Sequence, residues 1–426
     1  MDLKAFFDEA RELDRTDPLR RFRQQLAHPE ENLIYLDGNS LGRLPVKTIA
    51  RMYELVREDW GRQLIRGWND GWYDLPLRLG NKIARLIGAG EGSVLVADST
   101  SVNLFKLASA ALRYQQGRRK IISDVLNFPT DLYILQGLLQ SGGNGHTLHL
   151  AGSSDGITPD IKELEHCIDQ ETALVVLSLV SFKSAYFYEM QAINDMAHQN
   201  GALVLWDLSH AAGAVPVHLD RTGTDLAVGC TYKYLNGGPG SPAFLYVRRE
   251  LQDVLMNPIQ GWFGEYDPFA FELNYLPATG ISRFAVGSPP ILSMAAIEPG
   301  LDLLLEAGII ALREKSLHQS AFLIRLADEL LAPLGVSVAS PRDGARRGSH
   351  VSLTHPEAWR IIQALLQPLD DQPVIIPDFR APDNIRIGIT PLYTTFEELF
   401  VVIRRIRDIL TTGEHTRHSN DRSGVT

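Results

Sequence analysis

Short β-branched runs alternate with longer amphipathic segments through the first half of the chain. The runs are SVLVAD (93–98), RKIISD (119–124), HTLHL (146–150), ALVVLSLV (173–180) and ALVLWD (202–207). Between them lie VNLFKLASAALRY, PTDLYILQGLL, PDIKELEHCI and MQAINDMAHQN, each long enough for a crossover helix. This βαβ order predicts an α/β fold with a large, mostly parallel sheet.

The pattern changes in the second half of the chain. TDLAVGC and AFLYV add strands after residue 220, and a long helical stretch from about Leu301 leads into VSVAS, SHVSLTH, NIRIGI and a final helix. The change predicts a smaller C-terminal α+β domain. We therefore predict an N-terminal segment (1–45), a large domain (46–300), and the small domain (301–426) with a frayed tail after Thr411.

Composition narrows the class of protein. With 426 residues and 45% hydrophobic content the chain can bury a large core, and its net charge of −10 argues against nucleic acid as a partner. Cys167 and Cys230 lie far apart, without the paired spacing of a metal site or disulfide framework, so we expect no metal and a reducing compartment. The sequence has no apolar signal core and no run of membrane-spanning length, which predicts a cytoplasmic protein without a membrane partner.

Lys233 has unusual surroundings for a lysine. It stands between two tyrosines in GCTYKYLNGGPGSPAF, directly after the predicted strand TDLAVGC. Most lysines only improve solubility. An amine held at a strand end and partly withdrawn from water can instead lose its proton and act as a nucleophile.

Asp207 and His210 lie in WDLSH, where a very hydrophobic strand ends. A buried carboxylate there needs a cationic partner, and the protonated pyridine nitrogen of pyridoxal phosphate would be one. A loop-capping role for Asp207 is the alternative. His210 could contact the ring system of such a cofactor or serve a structural role.

Two further strand ends carry candidate cofactor contacts. Ser99, Thr100 and Ser101 stand between a strand and a helix, where hydroxyls and free amides can bind phosphate, although plain N-capping is also possible. Phe128 precedes Pro129, Thr130 and Asp131. Its ring could cover one cofactor face, or it could pack in the core while Pro-Thr-Asp begins a helix.

Several motifs together resemble those of the kynureninase family, from about Leu33 to Glu398. They are YLDGNSLG (35–42), STSVNLFK (99–106), NFPTDLY (127–133), WDLSHAAGAVPV (206–217), GCTYKYLNGGPGS (229–241), GWFG (261–264) and RIGITPLYTT (386–395). The resemblance implies a pyridoxal phosphate enzyme of the aspartate-aminotransferase type (fold type I), with a mostly parallel sheet of the seven-stranded type. It also implies a homodimer with shared active sites, a large domain (46–300) that binds the cofactor, and an N-terminal segment (1–45) that packs with the small domain.

The resemblance assigns cofactor contacts residue by residue. Lys233 would hold pyridoxal 5'-phosphate covalently, Asp207 would pair with its pyridine nitrogen, and Phe128 would stack on its ring. The other implied contacts are Thr100, Ser101 and Tyr232 at the phosphate, Pro129, Thr130, Asp131 and His210 near the ring, Ser178, and Trp262 and Ser288 from the second subunit. The family often has threonine or asparagine at the position of Ser288, so serine departs from the pattern and has a shorter reach.

Substrate contacts are predicted in three places. Arg386, in the strand NIRIGITP, would clamp an amino-acid carboxylate through two parallel hydrogen bonds, or else form a strand-edge salt bridge. Trp68 and Asn69, with Asn39 and Ser40, resemble the family's pocket for an aromatic substrate. Trp68 could also be a core residue.

The implied function is hydrolytic cleavage of L-kynurenine or 3-hydroxykynurenine to anthranilate or 3-hydroxyanthranilate and L-alanine, in tryptophan catabolism. Lys233 would move the α-proton, and Tyr232 would relay a proton or anchor the phosphate. Another fold-type-I enzyme, such as a cysteine desulfurase or a selenocysteine lyase, is one alternative, but a desulfurase needs a nucleophilic cysteine in the C-terminal half, and none follows Cys230. A catalytically silent binding protein is the other alternative.

Overall fold

The computed structural model describes residues 3–422 except 29, 31, 142–144 and 370. The helices are α1 (Leu3–Arg15), α2 (Val46–Glu54), α3 (Leu75–Ile87), α4 (Thr100–Tyr114), α5 (Pro129–Gln140), α6 (Ile161–Cys167), α7 (Met190–Gln199), α8 (Arg249–Gln252), α9 (Ile291–Ala295), α10 (Glu298–Ala307), α11 (Ile309–Leu330), α12 (Ala358–Leu366) and α13 (Phe396–Thr412). The strands are β1 (Leu33–Tyr35), β2 (Val94–Val96), β3 (Lys120–Asp124), β4 (Thr147–Ala151), β5 (Thr172–Ser178), β6 (Leu203–Asp207), β7 (Leu226–Gly229), β8 (Phe244–Val247), β9 (Ser337–Val338), β10 (His350–Thr354), β11 (Val374–Ile376), β12 (Asp378–Arg380) and β13 (Asn384–Gly388).

The larger sheet has seven strands within the described residues, in the order β2-β8-β7-β6-β5-β3-β4. Strands β4, β3, β5, β6 and β7 pair in parallel, and β8 runs antiparallel to both of its neighbours. Strands β5 and β6 are buried along their whole length because helices cover both faces of the sheet. The prediction of an α/β fold with a mostly parallel sheet is confirmed.

A second sheet forms the core of the C-terminal region. Over the described residues it has four strands in the order β12-β13-β10-β9, all antiparallel. Val351 and Leu353 of β10 and Ile385 and Ile387 of β13 point into a core shared with α11, α12 and α13. By alternation, His350, Ser352 and Arg386 face the other way, towards the large sheet.

The N-terminal segment contacts both regions. Phe6 and Ala10 of α1 join the core of the small domain, and β1 pairs in parallel with β11. Farther along, Phe22 is buried in the core of the large region, and Arg23 forms an ion pair with Glu398 at 2.7 Å. The segment therefore packs against the large domain as well as the small one. The predicted domain boundaries stay a prediction.

The prediction of a frayed tail is wrong for residues 413–421. Glu414 is buried and forms an ion pair with Arg405 at 2.5 Å. The indole of Trp359 donates to the carbonyl of Asp421 at 3.0 Å. The polar composition of the tail suggested disorder, but its carbonyl groups serve as acceptors for side chains of α12. Residues 423–426 lie outside the described part of the chain.

None of the helices in the described ranges is both long enough and apolar enough to cross a bilayer.

Candidate active site

Four loops meet where the parallel strands of the large sheet end. Asp207 ends β6, Ser178 ends β5, and register pairs these two residues side by side. Phe128 follows β3, and Lys233 follows β7. Carboxyl ends of parallel strands meet at one edge of a sheet, which is where open α/β folds bind ligands.

Lys233 is half-buried at this edge and reaches His210. Its Nζ lies 3.0 Å from His210 Nε2, and 5.8 Å and 5.9 Å from the ring centres of Phe128 and Tyr232. Burial, followed by the charge of Lys233, lowers the pKa of His210 well below its ordinary value. The imidazole is therefore neutral at physiological pH, and its Nε2 can accept a hydrogen bond from the amine.

Asp207 and Asp131 form a buried pair of carboxyl groups beside Lys233. The backbone amide of Ser209 donates to Asp207 Oδ1 at 2.8 Å, and within the described residues Asp131 Oδ2 has no hydrogen-bond partner. Burial raises the pKa of Asp207, and burial together with the charge of Asp207 raises the pKa of Asp131 well above its ordinary range. The surrounding protein therefore supplies too little positive charge to balance these two carboxyl groups, and the pair favours a cationic ligand.

Phe128 is held at the start of α5. Pro129 is the first residue of the helix, and Thr130 and Asp131 follow in its first turn. The Phe128 ring packs edge-on against Phe182, with ring centres 5.2 Å apart.

Ser178 and Asn127 form hydrogen bonds that hold the loop carrying Phe128. Ser178 Oγ donates to Asn127 Oδ1 at 2.6 Å, and the same amide oxygen accepts from the Phe128 backbone at 2.8 Å. Ser178 thus contacts the loop that carries Phe128.

Thr100 and Ser101 begin α4, with Ser99 as the N-cap that accepts from the Val102 amide at 3.3 Å. The predicted N-capping therefore uses Ser99. The hydroxyls of Thr100 and Ser101, together with first-turn amides that have no partner within the helix, remain available to an anion. Tyr232 is half-buried near Lys233, and the neighbouring Cys230 thiol, followed by burial, raises the pKa of its hydroxyl.

Arg386 is fully buried and already engaged. Its Nη1 donates to the Phe182 carbonyl at 2.6 Å, and its Nη2 contacts Ser40 Oγ at 2.8 Å and Asp378 Oδ2 at 2.5 Å. The Asn39 amide, with its oxygen turned towards the guanidinium, accepts from Nε at 2.9 Å. The structure therefore brings Arg386, Asn39 and Ser40 together, and it also contains the salt bridge that was the alternative to a clamp.

The loop that carries Asn39 and Ser40 lies directly on the Lys233 loop. The Gly42 amide donates to the Tyr232 carbonyl at 2.8 Å, and a Cβ at Gly42 would lie 2.3 Å from the Lys233 carbonyl oxygen. A side chain at this position would push the two loops apart. Glycine therefore permits the close approach that joins the predicted substrate residues to the predicted cofactor lysine.

Trp68, Trp262 and Ser288 lie on or beside an aromatic surface around Phe263, and Phe263 and Ser288 line one cavity with Asp98, which precedes α4. Trp68 packs against Phe263 with ring centres 5.6 Å apart, and Phe263 in turn contacts Trp262 at 4.8 Å. Ser288 and Asn69 are exposed, and Trp262 is 42% exposed. Within one chain these residues line an open face, so the predicted cross-subunit contacts of Trp262 and Ser288 would need a second copy.

The chain is similar in sequence to known proteins of one family. A family model described as the kynureninase C-terminal domain matches residues 312–406. A kynureninase of Pseudomonas fluorescens is 48% identical over 403 residues, which cover 93% of this chain and 94% of that relative. The chain belongs to the kynureninase family. A kynureninase of Burkholderia pseudomallei is 43% identical over 410 residues, covering 95% of each chain.

Solved structures with the same fold include other enzyme classes. A cysteine desulfurase of Thermococcus onnurineus superposes with a TM-score of 0.77 at 20% identity, covering 92% of this chain and 98% of that chain. A cystine C–S lyase in complex with cysteine persulfide gives 0.74 at 19% identity, covering 88% and 97%. The kynureninase-family chain thus has the predicted fold type I. At this level of identity the likeness concerns the fold alone.

Some site residues of this kynureninase-family chain were not predicted from sequence. They are Asn127, Phe182, Asp378, Asp37 and His350, which contact or flank the predicted residues. Asn127 was the easiest to find, because it precedes Phe128 at a strand end. Asp378 and His350 enter from the small domain, and no local pattern indicates where that domain meets the large sheet.

Proposed function

We propose that this protein is a kynureninase, a pyridoxal 5'-phosphate-dependent hydrolase that cleaves a carbon–carbon bond. Its substrate would be L-kynurenine, 3-hydroxykynurenine or both, and its products anthranilate or 3-hydroxyanthranilate and L-alanine. The observation that carries the proposal is the meeting of Lys233 with His210 and a buried carboxyl pair, next to Arg386, in a chain 48% identical to a kynureninase.

The residues at the strand ends fit the cofactor. Asp207 and Asp131 need positive charge, which a protonated pyridine nitrogen supplies. Among the described residues, His210 Nδ1 and Asp131 Oδ2 are buried without hydrogen-bond partners, as expected of groups that await a polar ligand. The helix start at Thr100 and Ser101, together with Tyr232, suits the phosphate. Lys233 would hold the cofactor, and Phe128 would cover its ring.

The chain's own groups have defined tasks in the reaction. When bound, the cofactor supplies an electron sink for negative charge that develops beside the substrate amino group. Lys233 Nζ is placed to take the α-proton and to return a proton later. Neutral His210 accepts from Nζ and so orients the amine. Tyr232, whose hydroxyl stays protonated at neutral pH, can either donate a proton to a reacting carbon or donate a hydrogen bond to the phosphate.

The amino-acid end would be recognised by Arg386, Ser40 and Asn39. The salt bridge with Asp378 holds the guanidinium in a fixed plane, and an incoming carboxylate could replace the contacts with Ser40 or the Phe182 carbonyl. Trp68 and Asn69 would contact the aromatic ring of the substrate.

We further propose a homodimer in which Trp262 and Ser288 reach the phosphate of the partner subunit. Support comes from the exposed apolar face around Trp262. Tyr266 is 64% exposed, Phe271 73% and Leu273 98%, and such an area usually marks an interface. The cytoplasmic location expected from the sequence stays a prediction.

A desulfurase is the main alternative because it shares the fold. That reaction needs a reactive cysteine thiolate, whereas Cys230 is buried and its pKa is raised by burial. The test is to incubate the purified protein and pyridoxal phosphate with L-kynurenine, with 3-hydroxykynurenine and with L-cysteine. We expect equimolar alanine and an anthranilate from at least one of the first two. Sulfide or persulfide from cysteine, with no anthranilate, would contradict the proposal.

A further inference from the structure

His350 is a fully buried histidine at the start of β10 for which the predicted reaction has no use. Within the described residues neither ring nitrogen completes a hydrogen bond. Leaving a buried polar group unpaired destabilises the fold, so such a group is uncommon without a ligand. The Phe182 carbonyl, which accepts from Arg386 at 2.6 Å, is near enough to oppose the fall in the His350 pKa, but neither ring nitrogen has hydrogen-bonding geometry to it.

The ring lies near both Arg386, proposed to hold the amino-acid carboxylate, and Lys233, proposed to hold the cofactor. Its centre is 5.6 Å from that of His210, which contacts Lys233 at 3.0 Å. On the other side, His350 pairs with Gly388 across the β10–β13 ladder, two residues from Arg386 and on the same face of the sheet. Burial, then the charges of Arg386 and Lys233, lower the pKa of His350 well below its ordinary value. The ring is therefore neutral, with one N–H donor and one acceptor nitrogen.

Arg386 alone offers few free donors to a carboxylate. A guanidinium has about five N–H groups. Those of Arg386 already contact the Phe182 carbonyl, Ser40 and Asp378, and the Asn39 amide oxygen. An additional neutral donor next to the guanidinium would strengthen recognition without adding charge.

We propose that His350 is a substrate-binding residue that donates a ring N–H to the α-carboxylate of the amino acid held by Arg386. This inference rests on the proposed function for the identity of the substrate, and on the placement of His350 for the contact itself. The side-chain ketone or aromatic ring of the substrate is the competing partner. L-alanine separates the two, because it carries the amine and the carboxylate but has neither ketone nor ring.

The experiment uses the holoenzyme of wild type, His350→Leu, His350→Gln and the control His355→Leu. His355 is half-buried and directly follows the same strand. Affinity for L-alanine is measured by titration of the cofactor absorbance. KM and kcat are measured with L-kynurenine, and Tm is measured by calorimetry. For His350→Leu we expect the Kd for alanine and the KM for kynurenine to rise together, by about 10- to 100-fold for a lost hydrogen bond to a charged group. His350→Gln keeps a donor and should recover most of the affinity.

The Tm distinguishes a role of His350 in substrate binding from a role in stabilising the fold. Because the ring has no partner, His350→Leu should leave Tm unchanged or raise it while alanine binding weakens. A lower Tm in His350→Leu and His350→Gln alike, with parallel losses of affinity, would assign His350 to structure and overturn the proposal. An unchanged affinity for alanine in His350→Leu would also overturn the proposal, whether or not the KM for kynurenine rises. Failure of the wild type to cleave kynurenine would contradict the proposed function, whereas the ratio of alanine affinities tests His350 separately.

Discussion

Asp37 and Asp378 place two carboxyl groups beside the guanidinium of Arg386. Burial, then the charge of Asp378, raises the pKa of Asp37 from 3.8 to about 6. The folded protein therefore binds this proton more tightly than the unfolded chain does. Below about pH 4 the carboxyl is protonated in both states, and the folded state bears no penalty. The penalty grows as the pH rises from about 4 to about 6, and it is complete above that range.

Asp37→Asn should thus stabilise the fold at neutral pH. We expect the free energy of unfolding at pH 7 to rise by up to about 3 kcal/mol, and the difference from wild type to vanish near pH 4. Urea unfolding at a series of pH values measures this. Asp8→Asn, at an exposed position of α1, serves as the control and should show no comparable pH-dependent gain. A constant difference at all pH values would show that the Asp37 carboxyl is not penalised on folding.

Arg386→Lys tests the clamp against the salt bridge. Lysine keeps the charge but loses the planar fork that can hold a carboxylate through two parallel hydrogen bonds, so we expect kcat/KM for kynurenine to fall by about tenfold or more. The control is Arg380→Lys, since Arg380 pairs with the same Asp378 at 2.9 Å but is partly exposed. If Arg386→Lys lowers only Tm and leaves kcat/KM intact, Arg386 has a structural role.

The candidate site residues that could be grouped from sequence share one property. Lys233, Asp207, His210 and Phe128 follow strands whose apolar pattern is strong, so their common edge could be inferred. His350, Asp37 and Asp378 reach the site through contacts between distant parts of the chain. In SHVSLTH the alternation places His350 and Ser352 on one face, but only the tertiary fold shows that this face meets Arg386.

At the scale of elements, the predicted strands of the large sheet agree with the structure to within about two residues, because buried parallel strands are continuous apolar runs. The three-residue strands β1, β11 and β12 were not predicted. Each is too short for a period to be visible, and each depends on its partner strand. The prediction of a frayed tail was wrong for a similar reason, because the tail is held by contacts with α12 and α13.

Lys106 connects two elements of the site. This lysine is fully buried in α4, and its Nζ donates to Asp98 at 2.7 Å and to the Phe284 carbonyl at 2.8 Å. Asp98 leads into the proposed phosphate loop, and Phe284 leads towards Ser288. The ion pair therefore fixes the start of α4 relative to the segment proposed to reach the partner subunit.

Lys106→Met should loosen this loop. We expect a loss of about 2–4 kcal/mol in unfolding free energy, because Asp98 loses its partner, and a weaker affinity for pyridoxal phosphate. Unfolding curves of the apoprotein and fluorescence titration with the cofactor measure the two effects. Lys162→Met, at an exposed position of α6, should change neither. Normal cofactor affinity in Lys106→Met would show that Lys106 does not position the phosphate loop.

At the scale of the whole molecule, the apolar face around Trp262 predicts a dimer. Sedimentation should give twice the 47.4 kDa of one chain. Leu273→Glu places a charge on a side chain that is 98% exposed in one chain, so it should dissociate the dimer and lower activity only if this face is the interface. Tyr114→Glu, at the far end of α4, is the control. A monomer with full activity would contradict both the dimer and the shared site.

Lys233 is the residue proposed to hold pyridoxal phosphate, and the proposed roles of its neighbours depend on it. The direct measurement is borohydride reduction of the purified holoenzyme, followed by proteolysis and mass spectrometry of the peptides. We predict one stoichiometric pyridoxyl label, on the peptide that contains Lys233, and no label at this site in Lys233→Ala. A label at another lysine, or none in a protein that cleaves kynurenine, would contradict the account.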